Sequence, residues 1–239
     1  MPPIPSQAPY SSAVVSVLHG DDAERAKALE HIIAAHWKVL YKYLRLRYDV
    51  YPSDAGTLVR LFLDRVQEKG FFDQFDANGL PVRFFLRDHL DSFVAAQKDT
   101  TSVSSSLPLD FAFAEEEYQS EQRDPSQSPQ QYFESEWVRS LFTLAIEELL
   151  NELQSEGKTV HFFLFLRYDL QNRGEAAQVS LEDLAKEMSI SVDIARNFLA
   201  EARTRYQAIV KGLVQSFTSS EDELQKEVRL LFGDAAKTG

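Results

Sequence analysis

Residues 180–203 read SLEDLAKEMSISVDIARNFLAEAR, and the organisation of the whole chain follows from this stretch. Ser180 with Asp183 three residues on is a helix start: a hydroxyl cap and an acid in the first turn. Leu184, Ala185 and Met188 then fall on one face. Ser189-Ile190-Ser191 leaves room for only a short turn before a second helix, expected from Val192 to about Val214 with Ser191 as its cap. Ile194, Ala195, Phe198, Leu199 and Ala202 share the inward face of that helix. Two helices so closely joined, with small Ala185 where they cross, form a helix-turn-helix pattern. The outward face would carry Asp193, Arg196, Asn197, Ala200, Arg203, Thr204 and Gln207. Arginine and asparagine make bidentate hydrogen bonds to guanine and adenine edges, and Arg196 and Asn197 lie in the first turns, where a major-groove helix meets bases. Residues 191–211 hold four basic and two acidic side chains, so this helix is locally positive. Any αα-corner can imitate the pattern, and exposed Arg and Asn are often merely solvated. The motif alone therefore leaves DNA contact and an ordinary surface helix both open.

Working outward, the chain predicts helix almost everywhere. From Asp21 to Tyr48 there is no Gly or Pro, and Leu29, Ile33, Trp37, Leu40 and Leu44 recur at the spacing of an amphipathic helix. A second helix is expected over Ser53 to Lys69, with Leu58, Leu61, Phe62 and Val66 on one face and Gly70 ending it. After the turn-like residues 76–79, a third runs from Pro81 or Val82 to about Gln97. Residues 98–131 change character, with hydroxyl-rich 100–106, glutamates at 115–117, and Pro125 and Pro129. They read as an acidic polar linker, in which Phe111, Phe113 and Tyr118 are candidates to dock. A long helix from Pro129 to Gln154 follows and Gly157 closes it. Val160 to Tyr168 is a buried helix or a strand, and Asp169 to Gln178 a loop. The expectation is an all-α chain: a flexible terminus over 1–20, a helical domain over 21–97, the linker over 98–131 and a second helical domain over 132–239.

Composition excludes several functions. With 239 residues, 44% of them hydrophobic, there is enough apolar material for two cores. The absence of cysteine rules out disulfides and thiolate zinc sites and points to a reducing, cytoplasmic setting. Residues 1–10 lack the basic-then-apolar layout of a secretory signal, and no apolar run could cross a bilayer, so no membrane role is expected. A formal charge of −12 opposes a polyanion across the whole surface, so any nucleic-acid contact must be local. The five histidines, at 19, 31, 36, 89 and 161, show no ligand spacing, and no metal or other cofactor is expected. Asp88-His89 with Asp91 could suggest acid–base work, but the polar side of an amphipathic helix is the simpler account. No catalytic residue and no enzymatic activity are predicted. The stripe Lys38, Lys42, Arg45, Arg47 is either a solvated face or a contact to polymerase or DNA. Phe84, Phe85 and Phe93 are core at these spacings, with one of them a candidate for an unstacked base.

Beyond these readings, the chain resembles a known family. His36-Trp37, Tyr41, Tyr43-Leu44-Arg45 and Arg47, then Asp54-Ala55, Leu58, Phe62, Gly79 and Arg83-Phe84-Phe85-Leu86, look like conserved region two of bacterial RNA polymerase sigma factors. Phe142, Leu181 to Ala185, and Leu199 to Arg203 are similar to their region four. The compact extracytoplasmic-function class fits best, and the closing helix over Glu221 to Phe232 is similar to the end of one of its subgroups. The resemblance covers roughly residues 25–98 and 133–232. It implies a region-two-like three-helix domain and a region-four-like helix-turn-helix domain in a transcription-initiation subunit. Core RNA polymerase and promoter DNA would be its partners, and an anti-sigma factor a further one. By position it implies a polymerase-binding segment with Asp54, Thr57, Leu58, Arg60, Leu61 and Phe62. It also implies a −10-reading segment over Arg83 to Lys98, including Arg83 and Arg87, and a −35-reading helix over Ser191 to Tyr206.

The chain departs from the family pattern at identifiable places. Gly56, Thr57 and Arg60 stand where acidic residues and a glutamine are usual, which predicts weaker hold on a generic polymerase core. Glu201 replaces a basic residue, and Ser189 the turn glycine. Two other functions remain open: a sigma-like adaptor that no longer reads DNA, and a stand-alone helix-turn-helix regulator, for which the Leu224, Val228, Leu231 stripe is the one candidate dimer seam.

Overall fold

In a computed structural model the chain is described over residues 11–76, 79–96, 108–171 and 179–233. Ten α-helices and two short helical turns account for the regular structure among the described residues, and no strand occurs there. Contacts divide the chain into two units, one of Met1–Ser140 with Val214–Gly239 and the other of Leu141–Leu213.

In the first unit, α1 (Ala13–His19) precedes α2 (Asp22–Tyr48), the longest element there. Residues 1–20 read as a flexible terminus, yet α1 is a formed helix. Val14 and Val17 are buried, and Ser12 both caps the helix and donates to the Thr218 carbonyl at 2.6 Å. An apolar i, i+3 pair was enough to anchor it. A full capping box starts α2: the Asp21 carboxylate accepts from the Ala23 and Glu24 amides, and Glu24 reaches back to the Asp21 amide. The sequence suggested an amphipathic α2, but every side chain from Val39 through Leu44 is buried, Lys42 included. This helix is the axis of the unit, surrounded by the others.

Next come α3 (Pro52–Val66), with Pro52 in its first turn, and α4 (Val82–Ala96). Gly70, in the left-handed region at φ 94°, turns the chain after α3, four residues beyond Val66, where the helix itself stops. Phe71, Phe72, Phe75 and Phe85 cluster there, edge to face except for the tilted Phe72–Phe85 pair, with ring centroids 5.2–6.3 Å apart. The expected turn at 76–79 and the end of the third helix fall partly on residues 77–78 and 97, outside the described set, as do Lys98 and the hydroxyl-rich 100–106.

The described part of the segment read as linker is not all linker. Residues 111–120 form α5 (Phe111–Ser120), capped by Asp110 and packed on α2 and α3. Phe111, Ala114 and Tyr118 have the spacing of a helical face, so tertiary contact orders a stretch whose composition suggests loop. Then α6 (Pro129–Ser155) begins in this unit, with Tyr132, Phe133 and Trp137 buried. At the other end of the chain, α10 (Glu221–Phe232) also belongs here, although the sequence assigned it to the second domain. Leu224 and Val228 are buried, and Glu227 lies 3.1 Å from Arg83. Phe217, just before α10, sits against His31 and His36.

The second unit holds the rest of α6, then α7 (Thr159–Phe165), α8 (Leu181–Glu187) and most of α9 (Val192–Ser216). Gly157, at φ 72°, ends α6 with the Lys158 amide donating to the Leu153 carbonyl and the Gly157 amide to Gln154. Residues 160–168, which read as helix or strand, are helical: α7 passes into one wide turn over Leu166–Leu170. Of the loop expected at 169–178, residues 172–178 lie outside the described set. Leu164, Leu184, Ala185 and Ala195 form the centre of this small core, flanked by Val160, Phe163, Ile190 and Phe198.

Candidate nucleic-acid interface

The turn between α8 and α9 is built by short-range hydrogen bonds. Ser180 caps α8 by accepting from the Asp183 amide at 3.1 Å. At its other end the Ile190 amide donates to the Ala185 carbonyl and the Ser189 amide to Lys186, each at 3.0 Å, which is a Schellman closure. That closure requires a left-handed residue, and Ser189 adopts φ 56°. The turn therefore has the geometry a glycine would take without strain, held here by a serine at a penalty of about 1 kcal/mol. Ser191 then caps α9, accepting from the Ile194 amide at 3.3 Å.

On α9 the predicted outward residues Asp193, Arg196, Asn197, Ala200, Arg203, Thr204 and Gln207 are all exposed. Ala195, Leu199 and Ala202 face the core as expected. Ile194 does not: it is 42% exposed, because the helix is rotated so that Ala195, at the crossing with α8, takes the inward place. The result is an apolar side chain on an otherwise polar face. Arg196 is 64% exposed and bonded within its own turn to Asp193 at 2.8 Å. Such an exposed pair is weak and easily exchanged for another acceptor. Arg203 is held more firmly, forming two hydrogen bonds to the Asp169 carboxylate at 2.6 and 2.7 Å. The Thr204 hydroxyl donates to the Ala200 carbonyl.

Glu201, the acid where the family pattern has a base, points away from this face. It accepts from Lys158 and Arg205, both at 2.8 Å, and lies 3.3 Å from His161 Nε2. Arg205 also makes two bonds to Glu156 at 2.5 and 2.8 Å. Bonds from Lys158 first, then Arg205, hold the Glu201 carboxyl below its usual range. Its negative charge is thus neutralised inside the unit.

The first unit treats its predicted contacts differently. Arg83, assigned to −10 reading, is only 5% exposed. Its guanidinium pairs with Glu134 at 3.3 Å and Glu227 at 3.1 Å and stacks over Trp137 and Phe84. Two carboxylates and two rings surround it, so it is not a surface contact. Arg87 donates to Asp88 at 2.6 and 2.9 Å and is partly exposed. Asp91 accepts from Tyr43 and Tyr48, and His89 Nδ1 lies 2.9 Å from the Phe85 carbonyl, so this acid–base pattern is structural.

In the segment that the resemblance assigns to polymerase binding, Leu58 and Phe62 are buried core, while Asp54, Thr57, Arg60 and Leu61 are partly exposed. The departures at 56 and 60 acquire a local cause. A side chain on Gly56 would touch the Phe111 ring at 3.4 Å. Arg60 donates to the Leu109 carbonyl at 3.3 Å and lies over the Phe111 ring at 4.8 Å. The basic stripe of α2 is also covered. Lys38 reaches Glu117 at 3.2 Å, and Arg45 forms two bonds to Glu115 at 2.9 and 2.8 Å. Lys42, 1% exposed, meets Glu117, Glu121 and Glu136 at 3.1, 2.7 and 2.6 Å. Of the stripe, only Arg47, 3.7 Å from Asp91, remains exposed, and then by 39%. The bonds from Arg45 hold the Glu115 carboxyl down at about 2. Sequence reasoning missed this interlocked surface, although the signal was present in Phe111, Glu115 and Tyr118 at helical spacing.

No protein-family profile, curated protein or solved structure matches this chain. Among the described residues there is no group of three or more His, Asp or Glu side chains placed to hold a metal ion, and no helix is long and apolar enough to cross a membrane.

Proposed function

We propose that the chain is a sigma factor of the compact two-domain class, binding core RNA polymerase and directing promoter recognition. The observation that carries this reading is the α8–α9 helix-turn-helix. Its closing turn has left-handed geometry, and Arg196 and Asn197 project from the first turns of α9 into solvent. A helix entering the major groove needs a face free of bulky neighbours, and α9 offers one. The residues matching region two add to the reading by resemblance alone. Copurification with core RNA polymerase tests it: the tagged chain should retain the core subunits, and selection from random duplexes in the presence of core should return a recurring sequence. Failure of both would end it.

A second reading is a sigma-like adaptor that does not read DNA. It is favoured by the burial of Arg83 and by the engagement of Arg203 with Asp169. Retention of core without any recurring duplex sequence is the outcome that selects it.

A further inference from the structure

Helix α5 covers one continuous face of the first unit. Phe111 fits a slot made by Trp37, Tyr41, Gly56 and Arg60, with ring centroids 5.4 Å from Trp37 and 5.2 Å from Tyr41. Glu115 joins the Tyr41 hydroxyl, which donates at 2.7 Å, to Arg45, and Glu117 bridges Lys38 and Lys42. The face beneath is basic and aromatic, and α5 is its acidic, aromatic complement. We infer that this face of α2 and α3 is the polymerase-docking surface, and that α5 is an internal competitor which must leave it before polymerase can bind. The inference rests on the sigma-factor reading, which puts polymerase contact on residues 54–62.

Three features mark α5 as removable. Only Ala114 and Tyr118 are buried within it, and Phe113 is 49% exposed, whereas α2 is buried on every side over residues 39–44. Of its ion pairs, Lys38–Glu117 is partly open to solvent and weakened by added salt, whereas those of Lys42 and Arg45 are shielded. Ten residues are also too few to keep a helix in water without a docking partner. Beneath it, α2 and α3 pack directly on one another, so the face does not depend on its cover. Its departure would expose Lys38, Arg45 and Arg60.

The geometry supplies a lock. A Cβ built on Gly56 lies 3.8 Å from the Phe111 Cβ, the separation usual in a disulfide, and the chain contains no cysteine to compete. The full-length double variant Gly56→Cys/Phe111→Cys should close under mild oxidation and pin α5 in place. Reduction releases it and leaves it without its aromatic anchor. Titrated against cognate core polymerase, the oxidised form should bind at least tenfold more weakly than the reduced form. Phe111→Ala should bind more tightly than the unaltered chain, with circular dichroism confirming that each variant is folded. Equal binding by oxidised and reduced forms, with the unaltered chain also binding, overturns the competitor and leaves the sigma reading standing. Binding by none of these forms sinks the sigma reading and the competitor together.

Discussion

Two helices, α2 and α9, carry basic residues at helical spacing, and the fold treats them in opposite ways. On α2, Lys38, Lys42 and Arg45 are each paired with glutamates from α5 and from the segments that follow it. On α9, Arg196 stands in solvent with one weak partner in its own turn. Cationic side chains in a helical pattern therefore say little about availability. What decides is whether acids from elsewhere in the chain reach them. A negative chain has such acids to spare, and Glu115, Glu117 and Glu121 are placed against α2.

The sharpest way to break this contrast is to remove a cation from each helix. Lys42→Met should destabilise the protein by roughly 3 kcal/mol, because Glu136, 2% exposed, and Glu121 lose their buried cation and keep only Arg139 beside them. Adding Glu136→Gln should recover much of the loss in urea titrations. Arg196→Ala should change stability by less than about 0.5 kcal/mol. Equal effects of the two substitutions would contradict the contrast.

A second test uses pH. His36 on α2 is wholly buried; its Nδ1 lies 2.7 Å from the Ile32 carbonyl and its Nε2 has no partner among the described residues. Burial lowers its pKa from 6.5 to about 4. The folded state thus binds its proton less readily than the unfolded state. The resulting stability is full above pH 6.5 and is lost as pH falls towards 4. The change is on the order of 3 kcal/mol, and His36→Leu should flatten the unfolding free energy between pH 7 and pH 4.5. A slope that persists in that variant would assign the effect elsewhere.

Smaller effects are expected at the α9 end. Arg196→Ala or Asn197→Ala should lower affinity for the preferred duplex by about 1–3 kcal/mol and relax preference at a single base pair. Arg203→Ala, by contrast, would first release Asp169. Binding isotherms on a set of single-base variants separate the two kinds of loss. The smallest change is expected from Ser189→Gly, which relieves the left-handed strain in the turn and should stabilise the second unit by about 0.5–1 kcal/mol. A destabilised Ser189→Gly would mean that the serine side chain supports the turn.

Much of the second unit was legible because its signals are local. Ser180, Ser189 and Ser191 set caps and a turn through bonds spanning a few residues, and the exposed face of α9 follows from a period that needs no knowledge of neighbours. Ile194 was the exception, since which of two adjacent apolar residues turns inward depends on the helix crossing. In the first unit, the helices were foreseeable but their surroundings were not. Arg83 looked like a surface cation, and its burial depends on Glu227, far along the chain. Gly56 and Arg60 looked like unexplained departures from a family pattern, and Phe111 accounts for both.

The sequence by itself determined that the described chain is helical, where most helices start and stop, and which face of α9 is polar. These are consequences of backbone capping and of apolar spacing, whose range is a few residues. Only the tertiary structure decided that α2 is an axis rather than a surface helix, that α5 exists and covers a basic face, and that α10 belongs with the first unit. Those outcomes depend on ion pairs and apolar contacts between residues from about 70 to more than 140 positions apart, such as Lys38 with Glu117, Arg45 with Glu115 and Arg83 with Glu227. Helical periodicity fixes which side a residue faces but carries no information about what arrives there.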